Sequence, residues 1–169
     1  AATVNRIEPS VIINAAAYTK VDAAERDESI AYRVNASGVK SLATCAKKVG
    51  ALLVHFSSDY VYDGLSKRPY LETDQANPLN VYGKSKLEGD RAIIDSGCKH
   101  LIFRTSWIYS EHGDNFLKSI LSLAQSKKSI AVVNDQFGVP TSAAMLAQVT
   151  RDCLKHVIVM ANLSGVYNV

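Results

Sequence analysis

Short apolar runs alternate along the chain with longer segments in which apolar residues recur every three or four positions. The runs are continuous rather than alternating, which is typical of parallel strands covered on both faces. They predict strands at 11–14, 51–56, 100–103 and 130–133, with 165–169 as a candidate last strand. Strands that alternate with helices predict an α/β fold with a doubly wound, mostly parallel sheet.

The longest helical pattern lies between the first two runs. Its apolar positions extend from Ile30 to Val49, and Gly50 is placed to end the helix. Asp22 and Glu25 have the spacing of a capping box and predict a short helix upstream. Three further helices are predicted, at 77–97, 114–127 and 142–160. The first of them has Asn77 as its N-cap and Pro78 in its first turn.

A polar cluster follows each of the first four apolar runs. The clusters are NAAAYT (14–19), SSDYVYDG (57–64), TSWIY (105–109) and NDQFGVPT (134–141). If the runs are parallel strands, the clusters lie at one edge of the sheet, where open α/β sheets bind ligands. The pattern therefore favours a small-molecule site at that edge.

Composition narrows the class of protein. Hydrophobic residues make up 47% and charged residues 21% of the 169 residues, as in ordinary globular domains. A net charge of +3 with scattered Lys and Arg does not favour nucleic-acid binding, and no apolar run approaches the length of a membrane span. The three separated cysteines, without metal-ligand spacing, indicate reduced thiols in a cytoplasmic protein, and we expect no metal site.

Tyr82 and Lys86 lie one helical turn apart and share a helix face. A nearby ammonium stabilises tyrosinate, so the pair could act as a general acid for a carbonyl that becomes an alkoxide. Ser58, at the end of a neighbouring strand, could donate a hydrogen bond to the same oxygen. A Tyr-x-x-x-Lys spacing is weak on its own, since about half of one is expected by chance in this composition. Each residue taken singly could equally be structural.

Several blocks together resemble the dTDP-4-dehydrorhamnose reductases, which are extended short-chain dehydrogenases/reductases. The blocks are VIINAAAYTKVDAAERD, RVNASGVKSLA, HFSSDYVYDG, PLNVYGKSKLEGD, FRTSWIY and NDQFGVPT. The resemblance implies a Rossmann-type sheet and reduction of the C4 carbonyl of dTDP-4-dehydro-L-rhamnose by NADPH, giving dTDP-L-rhamnose. NADH is a possible substitute for NADPH. The substrate would be a nucleotide sugar, and a homodimer is possible.

The resemblance also implies roles for individual residues. Ser58, Tyr82 and Lys86 would form the catalytic triad, with Lys86 also bonded to the nicotinamide ribose. The other implied residues are Tyr60 and Trp107 at the sugar nucleotide, Ala15, Ala16 and Ala17 beside the cofactor, and Asn35 as structural support for the site. For Trp107, a role as a core aromatic is an equal alternative.

A glycine-rich turn that could hold a pyrophosphate is missing from the sequence. None of the nine glycines lie closer together than Gly83 and Gly89. We therefore expect residues 1–169 to be a partial Rossmann-type domain, truncated at both ends. It would lack the N-terminal glycine-rich βαβ unit and the C-terminal substrate region, and we expect it to bind NADPH weakly by itself.

Two other functions stay open from the sequence. A non-catalytic regulatory subunit could have the same fold, because folds are reused for unrelated tasks. Another nucleotide-sugar enzyme, an epimerase or a dehydratase, could use a similar site. The paired clusters SSDYVYDG and TSWIY favour the reductase.

Overall fold

The computed structural model describes residues 1–157 and 163–169. Strands alternate with helices along most of the chain, as the apolar pattern predicts. They are α1 (Ala2–Ile7), β1 (Val11–Asn14), α2 (Val21–Ala24), α3 (Glu28–Tyr32), a π-helical segment (Arg33–Gly38), α4 (Val39–Val49), β2 (Leu52–Ser58), a 3-10 turn (Asp59–Val61), α5 (Val81–Ser96), β3 (His100–Thr105), β4 (Ile108–Tyr109), α6 (Phe116–Ser126), β5 (Thr141–Ser142), α7 (Ala143–Val157) and β6 (Gly165–Asn168).

The main sheet has four parallel strands in the order β1-β2-β3-β6. Helices cover both faces, so the continuous apolar runs of β2 and β3 are buried on both sides. On one face, Leu53 and Ile102 pack with α4 and with Ile93 of α5. On the other, Val54 and Phe103 pack against α7. The prediction of a parallel α/β sheet with helices on both faces is confirmed.

The predicted strand at 130–133 is wrong. These residues lie in an irregular segment, and Val132 and Val133 are exposed. Their apolar character therefore does not come from burial in the sheet. The fourth place in the sheet belongs to 165–168, the candidate last strand. The last predicted residues of the helix at 142–160, namely 158–160, lie outside the described residues.

The predicted long helix is one continuous helical stretch from Glu28 to Val49, which widens to π-helical turns at Arg33–Gly38. It ends where expected, because Gly50 adopts the left-handed conformation (φ 71°) that glycine tolerates. The helix predicted to begin at Asn77 begins later. Asn80 is its N-cap, and its side-chain oxygen accepts a 2.7 Å hydrogen bond from the backbone N–H of Gly83.

Helix α5 lies very close to two neighbouring backbones. A Cβ atom on Gly83 would overlap the carbonyl oxygen of Tyr60, and one on Gly89 would overlap the carbonyl oxygen of Asn35. The two glycines therefore let α5 approach both the 3-10 turn and the π-helical segment. This approach sets the position of every side chain that α5 carries to the sheet edge.

Candidate active site

The carboxyl ends of β2 and β3 lie side by side, with Ser58 paired to Thr105. Tyr60 follows Ser58 by two residues and Trp107 follows Thr105 by two residues. Asn14, at the end of β1, pairs with His55 in the same sheet. Three of the four predicted polar clusters therefore lie at one edge, as parallel strands require.

The fourth cluster, 134–141, does not follow a strand of the main sheet. It reaches the same region through a small second sheet, in which Thr141 pairs with Ile108. The Ser106 hydroxyl also donates to the carbonyl of Val139 at 2.8 Å. The expectation that this cluster follows a fourth parallel strand is wrong, but the segment still contacts the TSWIY cluster.

Ser58 is the last residue of β2 and is buried. Its hydroxyl donates to the Asp59 carboxylate at 3.1 Å and accepts from the Tyr60 backbone N–H at 3.2 Å. The second contact caps the 3-10 turn at Asp59–Val61. The Ser58 side chain is thus held by the turn that carries Tyr60.

Tyr82 is the second residue of α5 and is partly buried. Its ring meets the Tyr60 ring edge-on, with centroids 5.6 Å apart and planes at 79°. Burial raises the pKa of Tyr82, the nearby Ser58 hydroxyl opposes this, and the charge of Asp59 adds to the increase. The net direction is upward, opposite to the lowering expected from Lys86, and a phenol that keeps its proton can donate it.

Lys86 is buried, with 1% of its surface exposed. Its ammonium donates to the backbone carbonyl of Phe56 on β2 at 2.6 Å. Burial lowers the pKa of Lys86 to about 8, and the charge of Asp90 opposes the decrease. An ammonium has three donors, so one bond to Phe56 leaves two N–H groups for other partners.

Asn35 is buried in the π-helical segment and connects three parts of the site. Its amide accepts from the Tyr18 backbone N–H at 2.9 Å and donates to the Tyr18 carbonyl at 3.1 Å. It also donates to the Ser85 hydroxyl on α5 at 3.0 Å. Asn35 therefore ties the loop after β1 to α5, and it agrees with a structural supporting role.

The loop after β1 carries the three alanines singled out in the sequence. Ala15 and Ala16 are exposed and Ala17 is partly exposed. The Asn14 side chain accepts from the Ala16 backbone N–H at 3.2 Å and fixes the start of the loop. These three alanines present a surface of small side chains directly after the carboxyl end of β1.

Trp107 is the residue with the most unusual backbone at this edge, with φ 44°. Its ring is 43% exposed and lies against Gly138, where an added Cβ would come within 2.8 Å of the ring. Its carbonyl accepts from the Thr141 backbone N–H at 3.4 Å. Trp107 is thus a surface aromatic held by the 134–141 segment, and the alternative of a core aromatic is wrong.

A family model described as "RmlD substrate binding domain" matches residues 1–169. The chain belongs to this family. The resemblance to dTDP-4-dehydrorhamnose reductases is thereby confirmed, and so is the Rossmann-type fold that it implied.

The RmlD-family chain is similar to curated and solved reductases over almost its whole length. It is 46% identical to the dTDP-4-dehydrorhamnose reductase of Escherichia coli (strain K12), covering 99% of this chain and 56% of that protein. Two solved dTDP-4-dehydrorhamnose reductases match 99% of this chain and 58% of their own. They come from Clostridium acetobutylicum (39% identity, TM-score 0.93) and Bacillus anthracis (40%, TM-score 0.91), the latter in complex with NADP. The chain thus spans about half the length of the relatives it matches.

Several residues of this RmlD-family site are not evident from motif spacing. Gly83 sits inside Tyr-x-x-x-Lys, but its close approach to Tyr60 is visible only in the fold. Glu25 accepts from the Val81 backbone N–H at 2.8 Å, across 56 residues, and so binds the first turn of α5. The signal that could have found them is the three-residue step from Asn80 to Gly83, which marks a helix start.

In residues 1–157 and 163–169, no group of three or more His, Cys, Asp or Glu side chains is placed to hold a metal ion. Within the same residues, every helix is too short or too polar to cross a membrane.

Proposed function

We propose that this chain carries the catalytic centre of a reductase that uses NADPH to reduce the C4 carbonyl of dTDP-4-dehydro-L-rhamnose to dTDP-L-rhamnose. The observation that carries the proposal is the convergence of Ser58, Tyr82 and Lys86 at the carboxyl edge of the sheet. Membership of the RmlD family supports it. The glycine-rich turn and further substrate-binding structure would be supplied by other parts of the complete protein.

Tyr82 is the proton donor in this proposal. Its raised pKa keeps the phenol protonated at neutral pH, and a carbonyl oxygen that gains negative charge takes up that proton. Ser58, at the end of β2, would donate to the same oxygen by turning its hydroxyl away from Asp59. Tyr60 stands against the Tyr82 ring, and together with Trp107 it would contact the sugar nucleotide.

The residues present fit a nicotinamide cofactor. Lys86 has N–H groups left for the ribose hydroxyls after its bond to Phe56. The exposed surface of Ala15 and Ala16, with Ala17 beside it, permits a flat ligand to approach the backbone. NADPH, when bound, supplies the hydride, and NADH is a possible substitute. The Bacillus anthracis relative solved with NADP supports this choice.

A cytoplasmic location belongs to the same proposal. Its support is that Cys45, Cys98 and Cys153 are all free thiols, two of them buried. Disulfides are rare in the cytoplasm because thiols are kept reduced there.

The test is turnover by the complete protein. It is incubated with NADPH and dTDP-4-dehydro-L-rhamnose, and the nicotinamide absorbance is followed. We expect NADPH oxidation that depends on the keto sugar. Binding of both ligands without oxidation would instead identify a non-catalytic regulatory subunit, and sugar conversion without net NADPH oxidation would identify an epimerase or a dehydratase.

A further inference from the structure

Helix α5 carries a second buried charged residue one turn after Lys86. Asp90 is completely buried. One of its carboxylate oxygens accepts from the Ser57 hydroxyl on β2 at 2.9 Å and from the Arg104 guanidinium on β3 at 3.3 Å. The other carboxylate oxygen, also buried, has no hydrogen-bond partner among residues 1–157 and 163–169. An unsatisfied carboxylate oxygen inside a protein is costly, so its retention needs a reason.

Arg104 has other contacts besides its ion pair with Asp90. Its guanidinium also donates to the Tyr62 hydroxyl at 2.9 Å and lies 5.2 Å from the centroid of the Tyr62 ring. Tyr62 is fixed in turn by bonds to the Leu71 carbonyl and the Asn168 side chain. Asp90 is thus paired with the buried Arg104, and the buried Lys86 lies one helical turn before it on α5.

Other charged or titratable groups also face Lys86. His55 on β2 is neutral, because burial and the charge of Lys86 lower its pKa to about 3. Asp59 and Tyr82 lie toward the open edge of the site, and Arg104 lies on β3. Burial lowers the pKa of Lys86 and Asp90 raises it. Burial also raises the pKa of Asp90, while Arg104, the Ser57 hydroxyl and Lys86 oppose that rise. The ionised carboxylate of Asp90 opposes the loss of the Lys86 charge.

We propose that Asp90 is a positioning residue of the reductase, whose buried carboxylate keeps Lys86 charged and directed at the active-site edge. The inference rests on the proposed function. Residues four apart on a helix have their Cβ atoms about 5–6 Å apart, so the charge acts at short range between two buried side chains. Ser57 and Arg104 hold the carboxylate in place.

The competing explanation is structural: Asp90 would only neutralise Arg104. The two explanations differ in the pH dependence of kcat. If Asp90 sustains the charge of Lys86, its removal shifts the alkaline limb of the profile, whereas a purely structural residue changes stability or overall rate and leaves the limb in place.

The experiment compares Asp90→Asn with Asp95→Asn in the complete protein. Asp95 is on the same helix but exposed, so it provides the same chemical change without the buried contact. We expect D90N to move the alkaline limb of kcat to lower pH by about one unit and so to reduce kcat about fivefold at pH 8. D95N should match the wild type in both. An unmoved limb in folded D90N would overturn the inference.

A second variant covers a D90N protein that fails to fold. The double variant D90N/R104M removes both buried charges, which proteins tolerate better than the loss of one partner. Loss of the cation by itself would move the Lys86 limb to higher pH, so the double variant is compared with R104M alone. A limb at lower pH in D90N/R104M than in R104M reports the lost carboxylate, and equal limbs in the two variants count against the inference. Failure of the proposed function is a separate result, because the wild type itself would then not oxidise NADPH.

Discussion

The two sides of the candidate site are built differently. The side made by β2 and α5 is buried and cross-linked: Lys86 is bonded to Phe56, and Asn35 is bonded to Tyr18 and Ser85. The side made by 105–141 lies at the surface, where Trp107 is 43% exposed and Phe137 is 95% exposed. The groups that would move a proton are therefore fixed by the core, whereas the groups that would select the substrate stand on irregular segments, as is common in enzymes.

The largest expected effect is a loss of catalytic rate on the buried side without a loss of stability. In the complete protein, Tyr82→Phe should lower kcat by about 10²–10⁴-fold, as expected for loss of a general acid, with little change in the free energy of unfolding. Tyr32→Phe is the matched control, because Tyr32 lies on α3 and outside the site. Steady-state rates and thermal unfolding of both variants provide the measurement. Activity of Y82F within about tenfold of the wild type would rule out Tyr82 as the acid.

One glycine substitution probes the packing of the buried side. Gly83→Ala places a methyl group against the Tyr60 carbonyl, a backbone atom held by the 3-10 turn. We expect a loss of about 2–3 kcal/mol in the free energy of unfolding, measured in urea. Gly165→Ala is the control, since a Cβ there meets only ordinary contacts at 3.4–3.5 Å. Equal stabilities for the two variants would show that α5 can move away from the turn.

The two sides also differ in how a histidine responds to acid. Burial lowers the pKa of His55 to about 3, whereas its unfolded-state pKa is near 6.5. The unfolded chain binds the extra proton between these values, so the stabilising contribution is complete above about pH 6.5 and falls as the pH decreases toward 3. When the pH falls from 7 to 5, the free energy of unfolding of His55→Gln should decrease by about 2 kcal/mol less than that of the wild type.

The control for this measurement lies on the exposed side. His112 is 88% exposed, and His112→Gln should follow the wild-type curve of unfolding free energy against pH. If H55Q and the wild type lose stability in parallel as the pH falls, His55 already binds a proton in the folded protein.

The smallest expected effect belongs to the surface side. Gly138→Ala places a methyl group 2.8 Å from the Trp107 ring, and that exposed ring can move. We expect less than about 1 kcal/mol of destabilisation. The KM for the sugar nucleotide should rise several-fold while kcat is kept, because an interaction common to the ground and transition states is lost. A stability loss as large as that of G83A would remove the contrast between the two sides.

The sequence predicted the buried side better than the surface side, for physical reasons. Buried parallel strands need continuous apolar runs, so the predicted ends of β1, β2 and β3 lie within two residues of the observed ends. Gly50 was found as a helix end because a left-handed residue favours glycine. Tyr82 and Lys86 both lie on α5, one turn apart, as their spacing predicted.

What the sequence could not supply depends on contacts between distant residues. Val132 and Val133 are as apolar as a strand, but no neighbouring strand pairs with them in the part of the chain that the structure describes. Asn80 rather than Asn77 caps α5, because Glu25 and Gly83 complete its first turn. The predicted effect of Lys86 on Tyr82 failed because burial dominates the Tyr82 pKa.

We propose that this site directs a hydride to C4 of a keto sugar while Tyr82 protonates the oxygen. The decisive experiment uses the complete protein with NADPH carrying deuterium at C4 of the nicotinamide, on the face from which hydride is transferred, and dTDP-4-dehydro-L-rhamnose. We expect a dTDP-L-rhamnose product with deuterium at sugar C4, seen by NMR. Deuterium at any other carbon, or a converted sugar without deuterium, would contradict it.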